Sequence, residues 1–186
     1  MAKETRSRMV DAAVEALRQR GLQGMSFTDV LARSGAARGA IYHHFPGGKN
    51  QLAAEAVTQH GREVRDRLAE LGTADPKVVA AAFAEFARPV ARAAAQGAGC
   101  AVAAVTVPAD EESGELRQAA AATFASWTEQ LARTLTEAGL AAADAEEKAA
   151  LLVALLEGAQ VLCRASGSTE PFERAVRATL TLFADP

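Results

Sequence analysis

"MSFTDVLARSGAARGAIYHHFPGGK", Met25 to Lys49, decides how this chain folds. It opens with a helix start: Ser26 stands as N-cap, Asp29 three residues on can close a capping box, and Met25 with Val30 can act as a hydrophobic staple. Gly35 stops that short helix. A third helix is expected from near Ala37 and must end by Phe45, because Pro46 disfavours helical geometry in the residue before it. Upstream, Thr5 to Arg20 carries Val10, Val14 and Leu17 at i, i+4 and i+7 and ends before Gly21. A helix, a tight glycine turn and a second short helix form the helix-turn-helix pattern, whose second helix enters the DNA major groove. Val30, Leu31, Ile41 and Phe45 point inward on Val14 and Leu17, which leaves Arg38, Gly39, Tyr42 and His43 facing outward.

Charge follows the same division. The chain of 186 residues has a net charge of −3. Residues 1–50 nevertheless hold eight Lys/Arg against four Asp/Glu, a surplus of +4, and the rest carries −7. A basic head on an acidic body is the asymmetry expected when one end meets phosphate. Alanine enrichment with few β-branched clusters predicts an all-α protein. The two cysteines, Cys100 and Cys163, lack C-x-x-C spacing and read as buried thiols of a reducing compartment. The N-terminus has no uninterrupted apolar run of a signal peptide, and no charge-free apolar stretch has the length of a membrane span. A soluble, cytoplasmic protein without a membrane partner is therefore expected.

Beyond Gly48 the helices lengthen. A connecting helix is expected from Lys49 to Leu71. Asp75 and Pro76 open another, with Val79, Phe83, Phe86 and Val90 as a stripe closed by Gly97 and Gly99. Periodicity cannot choose between a short helix and a strand for "CAVAAVTVPADEES". A long helix then runs from Gly114 to Ala138, with Leu116, Ala120, Phe124, Trp127, Leu131 and Leu135 along one side. Asp144 with Glu147 makes the next box-like start. The helix they open is apolar on two faces, Leu151, Leu155, Ala159 and Leu162 on one and Val153, Leu156 and Cys163 on the other. Such a helix must be buried on every side, and a second copy of the chain supplies the missing wall. Phe172, Val176, Leu180 and Phe183 of the last helix would complete a four-helix bundle across a two-fold axis.

"GMSFTDVLARSGAARGAIYHHFPGGKNQLAAEAV" resembles the TetR family of bacterial transcriptional regulators. That family shows a capped helix, an A-x-x-[SA]-G turn, a short helix ending Tyr-x-[HY]-Phe and a basic residue opening the next helix. "IYHHFPGGK" resembles its LmrA/YxaF-like branch. The resemblance implies a homodimer of nine-helix subunits, with a DNA-binding head over residues 1–48 and a ligand-binding and dimerisation body over 49–186. The heads would hold a palindromic double-stranded operator until a small-molecule effector in the body releases them. By position, Arg38, Gly39, Ala40, Tyr42 and His43 would lie on the recognition helix, and Ser26, Thr28, Tyr42, His44 and Lys49 would meet phosphate. Lys49 also sits at a helix N-terminus, where free N–H groups favour an anion. Ala37 and Ala40 depart from the Ser or Thr often found there, which makes Arg38 the leading base reader.

Other chemistries fit less well. His43 and His44 are neighbours, so on a helix they diverge by about 100°, whereas chelation wants i, i+3 or i, i+4. No third group orients them as an acid-base pair, and no metal, cofactor or enzyme activity is expected. In the body, Phe83, Phe86, Val90, Val102, Phe124, Trp127, Leu131 and Gln160 can line a ligand cavity or simply form the core. The alternative to a ligand-released repressor is a helical dimerisation or sequestering protein whose head does not read DNA.

Overall fold

In the computed structural model, which describes residues 2–72, 74–107 and 114–183, Ser26 caps its helix. Its Oγ accepts the Asp29 N–H at 3.2 Å, opening α2 (Phe27–Ser34). The Asp29 carboxylate turns to the Arg20 guanidinium of α1 (Ala2–Gly24), a pairing the capping-box pattern does not foresee. Met25 and Val30 are both buried, at 2% and 0% exposure, as a hydrophobic staple requires. Gly21, at φ 68° and ψ −179°, breaks α1 where the sequence ends its first helix, and one further turn follows the kink as far as Gly24. Gly35 closes α2 in the left-handed region at φ 65°.

α3 is only Ala40–His44, three residues shorter at its start than expected. Neither Ala37 nor Gly39 has a side chain that can accept a free N–H, so an i→i−3 backbone bond, Ala40 N–H to Ala37 O at 2.9 Å, closes a turn instead. Arg38 and Gly39 consequently lie in that turn and not on the helix. Phe45 ends α3, with its N–H donating to Ile41 O at 2.8 Å. Gly48 opens α4 (Gly48–Ala69). α5 (Pro76–Ala95) begins at Asp75, whose carboxylate accepts the Lys77 and Val78 N–H groups at 2.8 and 3.4 Å.

A 3-10 turn, Ala103–Val105, resolves part of the segment that periodicity left open; its residues 108–113 lie outside the described residues. α6 (Gly114–Glu137), α7 (Ala142–Ser166) and α8 (Glu170–Thr181) follow. The described residues thus form eight α-helices and one 3-10 turn, where nine helices were expected. α7 starts two residues before Asp144, with Ala141 as N-cap, so Asp144 belongs to its first turn and is no cap.

Two compact units divide the chain: Met1–Arg62 with Gly99–Thr123, and Glu63–Ala98 with Phe124–Pro186. In the first, Met9, Leu17, Met25, Val30, Ile41, Phe45 and Leu52 form a core no more than 2% exposed. The Gly99 N–H donates to Arg18 O at 2.7 Å, and the 3-10 turn packs on α1. Gly61 of α4 is the tightest approach: a Cβ there would stand 2.4 Å from Thr123 Cγ2. Gly61→Ala should therefore cost about 1–3 kcal/mol in urea unfolding, and Thr123→Ala in the same chain should recover part of that loss.

In the second unit α7 packs on α5 and α8. Its length and the apolarity of one stretch within it are enough for a bilayer span, although Glu157 and Arg164 interrupt it. Eight of its residues are nevertheless buried in the unit, as in a core helix. Arg88 ties α5 to α8: Nε and Nη2 donate to the two Glu173 carboxylate oxygens at 2.9 and 3.1 Å, and Nη1 pairs with Glu85. That hydrogen-bonded guanidinium holds the Glu173 carboxyl below the usual carboxylate range, and the two carboxylates push Arg88 up. A lowered folded-state value stabilises above the ordinary range and is lost as pH falls through it. Glu173→Gln should lower Tm at neutral pH, and the gap to the wild type should close as thermal melts are taken towards about pH 3.

Candidate nucleic-acid interface

The exposed face of the first unit is built around α3. Ile41 and Phe45 point into the core at 1% and 0% exposure, which turns Tyr42 and His43 outward; Tyr42 is 68% exposed. Tyr42 leans edge-on against Phe27 of α2, with ring centroids 5.7 Å apart and planes at 88°, so its phenol projects from a supported ring. Arg38 stands exposed in the turn ahead of the helix, beside exposed Gly39 and half-buried Ala40.

The remaining candidates surround that face. Ser26 and Thr28 are exposed at the start of α2, and the Ser26 oxygen that accepts the Asp29 N–H still carries a hydroxyl proton to donate. His44 is half-buried between His43, at 5.2 Å between ring centroids, and Phe45, at 6.4 Å. The two histidines therefore stack edge-on and do not converge on a point. Lys49 is half-buried, its Nζ donating to Gln23 O at 3.3 Å, which fixes the start of α4 to the α1 end and leaves further ammonium protons. Arg33 is held by Gln19 Oε1 at 2.7 Å.

The residues proposed from sequence for the body separate into groups. Val102 is buried in the first unit, whereas the other seven belong to the second. Phe83, Trp127, Leu131 and Gln160 are buried, whereas Phe86, Val90 and Phe124 are half-buried. Phe124 meets Trp127 edge-on at 5.3 Å, and the Arg67 guanidinium lies 4.9 Å from the Phe86 centroid. Phe83 borders a space of about 10 Å³ with Leu152, Leu155, Val176, Thr179 and Leu180, room for no more than one water. A cleft of about 490 Å³ lies elsewhere, lined by Thr128, Glu129, Ala132, Arg133, Thr136, Glu137, Ala142 and Glu146. The six α6 residues recur at i, i+1, i+4, i+5, i+8 and i+9, the polar face opposite the apolar stripe.

The dimer candidates also divide. Ala159, Phe172 and Val176 are buried inside the second unit, and Leu155 and Leu180 are half-buried there. Phe172 in particular, at 0% exposure, has no surface left for a second chain. Leu151 and Leu162 are exposed at 38% and 57%, joined by Val161 at 68%, which the stripe at i, i+4 spacing passed over. Cys163 is buried, but Cys100 is half-buried, its Sγ accepting the Ala103 N–H at 3.4 Å.

A capped helix, a left-handed glycine turn and a short helix presenting tyrosine and histidine, with an arginine in the turn ahead of it, define a helix-turn-helix DNA-binding protein. Residues 9–56 match the bacterial regulatory proteins of the tetR family, and residues 76–178 match the C-terminal domain of LmrA/YxaF-like transcriptional regulators. The chain belongs to the TetR family, in its LmrA/YxaF-like branch. It is 35% identical over 173 residues to the HTH-type transcriptional regulator Rv0196 of Mycobacterium tuberculosis, covering 90% of this chain and 88% of that protein. The crystal structure of a TetR regulator from Chloroflexus aurantiacus is 29% identical with a TM-score of 0.78, over 99% of this chain and 96% of that one. The regulator CifR, solved on a 26 bp double-stranded operator, shares the fold at 23% identity and a TM-score of 0.68, over 95% of each chain. This chain is a transcriptional regulator of a family whose members bind operator DNA as dimers.

Proposed function

We propose that the protein is a homodimeric repressor, held on a palindromic operator by residues 1–48 and released when a small hydrophobic effector binds the body, residues 49–186. It acts in the cytoplasm, without catalysis or a cofactor. The observation that carries the reading is the exposure of Arg38, Tyr42 and His43 around a short helix that buried Ile41 and Phe45 anchor. Arg38 grips guanine O6 and N7, worth about 1–3 kcal/mol of discrimination, and Gly39 lets the backbone come close. Ala40 packs on a thymine methyl. Ser26, Thr28, Tyr42, His44 and Lys49 hold phosphates. In the body, half-buried Phe86, Val90 and Phe124 are the side chains an apolar effector reaches first, with Trp127 behind Phe124.

Two measurements test this reading. Arg38→Ala should lose preference for a duplex selected by the wild-type chain from random-sequence DNA, whereas Lys49→Ala should weaken binding to every sequence and flatten the salt dependence by about one charge. Unchanged affinity in both variants would place the reading surface elsewhere. The exposed apolar face of α7 is the proposed dimer surface, so Leu162→Glu should sediment as a folded monomer and bind operator weakly. A dimer of undiminished mass would remove that face from the assembly.

A further inference from the structure

Arg6 makes a contact that lies outside the recognition face. Its guanidinium carbon is 5.1 Å from the centroid of the Phe45 ring, and the same group pairs with Glu55 of α4. Phe45 is the residue that ends α3 and is 0% exposed. One cation on α1 thus touches the residue that caps the end of α3 and a carboxylate on the following helix. Both contacts lie within the first unit.

We propose that Arg6 is a positioning residue for DNA recognition: through Phe45 it sets the orientation of α3, while Glu55 holds the guanidinium in place. This rests on the reading that Arg38, Tyr42 and His43 face the operator. Arginine suits the role because it can lay a face on an aromatic ring and an edge on a carboxylate, which lysine cannot reproduce. The Glu55 carboxylate also offsets part of that charge and engages one edge of the guanidinium.

The test uses the full chain with Arg6→Ala, Arg6→Lys and Glu55→Gln. Affinity is measured across a salt series for a duplex selected by the wild type from random-sequence DNA and for a shuffled duplex of equal length. Arg6→Ala and Glu55→Gln should each lower the ratio of the two affinities roughly tenfold. The salt slope of Arg6→Ala on the shuffled duplex should stay that of the wild type, and Arg6→Lys should recover only part of the ratio. In the free protein, amide exchange over residues 40–45 should accelerate in Arg6→Ala. That readout needs no DNA, so it tests the hold on α3 separately from the Arg38→Ala result, which tests the reading itself. Equal losses on both duplexes with a slope shallower by about one, and tighter binding to both by Glu55→Gln, would make Arg6 a phosphate contact and overturn the proposal. Unchanged exchange over residues 40–45 would overturn it as well.

Discussion

A five-residue helix such as Ala40–His44 closes too few hydrogen bonds to offset the entropy of nucleating it. Its geometry is therefore on loan from its neighbours. Ile41 and Phe45 anchor it in the core of the first unit, Phe27 steadies Tyr42, and Arg6 touches Phe45. Everything else in the head serves that arrangement. The Ser26 cap and the left-handed Gly35 fix the two ends of α2, and the Lys49 bond to Gln23 O fixes the start of α4. The outward residues can then be polar and large without contributing to stability, which frees them to meet a ligand.

Charge is arranged on the same principle. The surplus of +4 lies in the first fifty residues, yet several of those cations are engaged at home: Arg6 with Glu55, Arg20 with Asp29, Arg33 with Gln19. Arg38 is an exposed cation in the turn itself. A basic stretch read only as a sum would give each of these cations the same role. In the structure they divide between those that brace the helices and those that face outward.

The body shows why an apolar helix is hard to interpret from its sequence alone. α7 is apolar enough for a bilayer, a core or a dimer. Packing on α5 and α8 uses Leu152, Val153, Leu156 and Cys163, and leaves Leu151, Val161 and Leu162 outside. α8 spends Phe172 and Val176 inside its own unit. The Arg88 to Glu173 fork adds a polar tie between α5 and α8 where the side chains are only partly covered.

The sequence alone determined what depends on a few neighbouring residues. Ser26, Gly35, Pro46 and Asp75 start or stop helices through their own side chains or backbone freedom, so the helix-turn-helix and the all-α class were legible in them, as were outward Tyr42 and His43. The tertiary structure decided what depends on distant partners. The late start of α3 follows from the missing cap at Ala37 together with the seating of Ile41 and Phe45. The Asp29 carboxylate chose Arg20 over its own helix start, Gly61 lies against Thr123, and Arg6 lies over Phe45. Side-chain periodicity names an apolar face but not the surface that covers it, and these contacts join residues far apart in the chain.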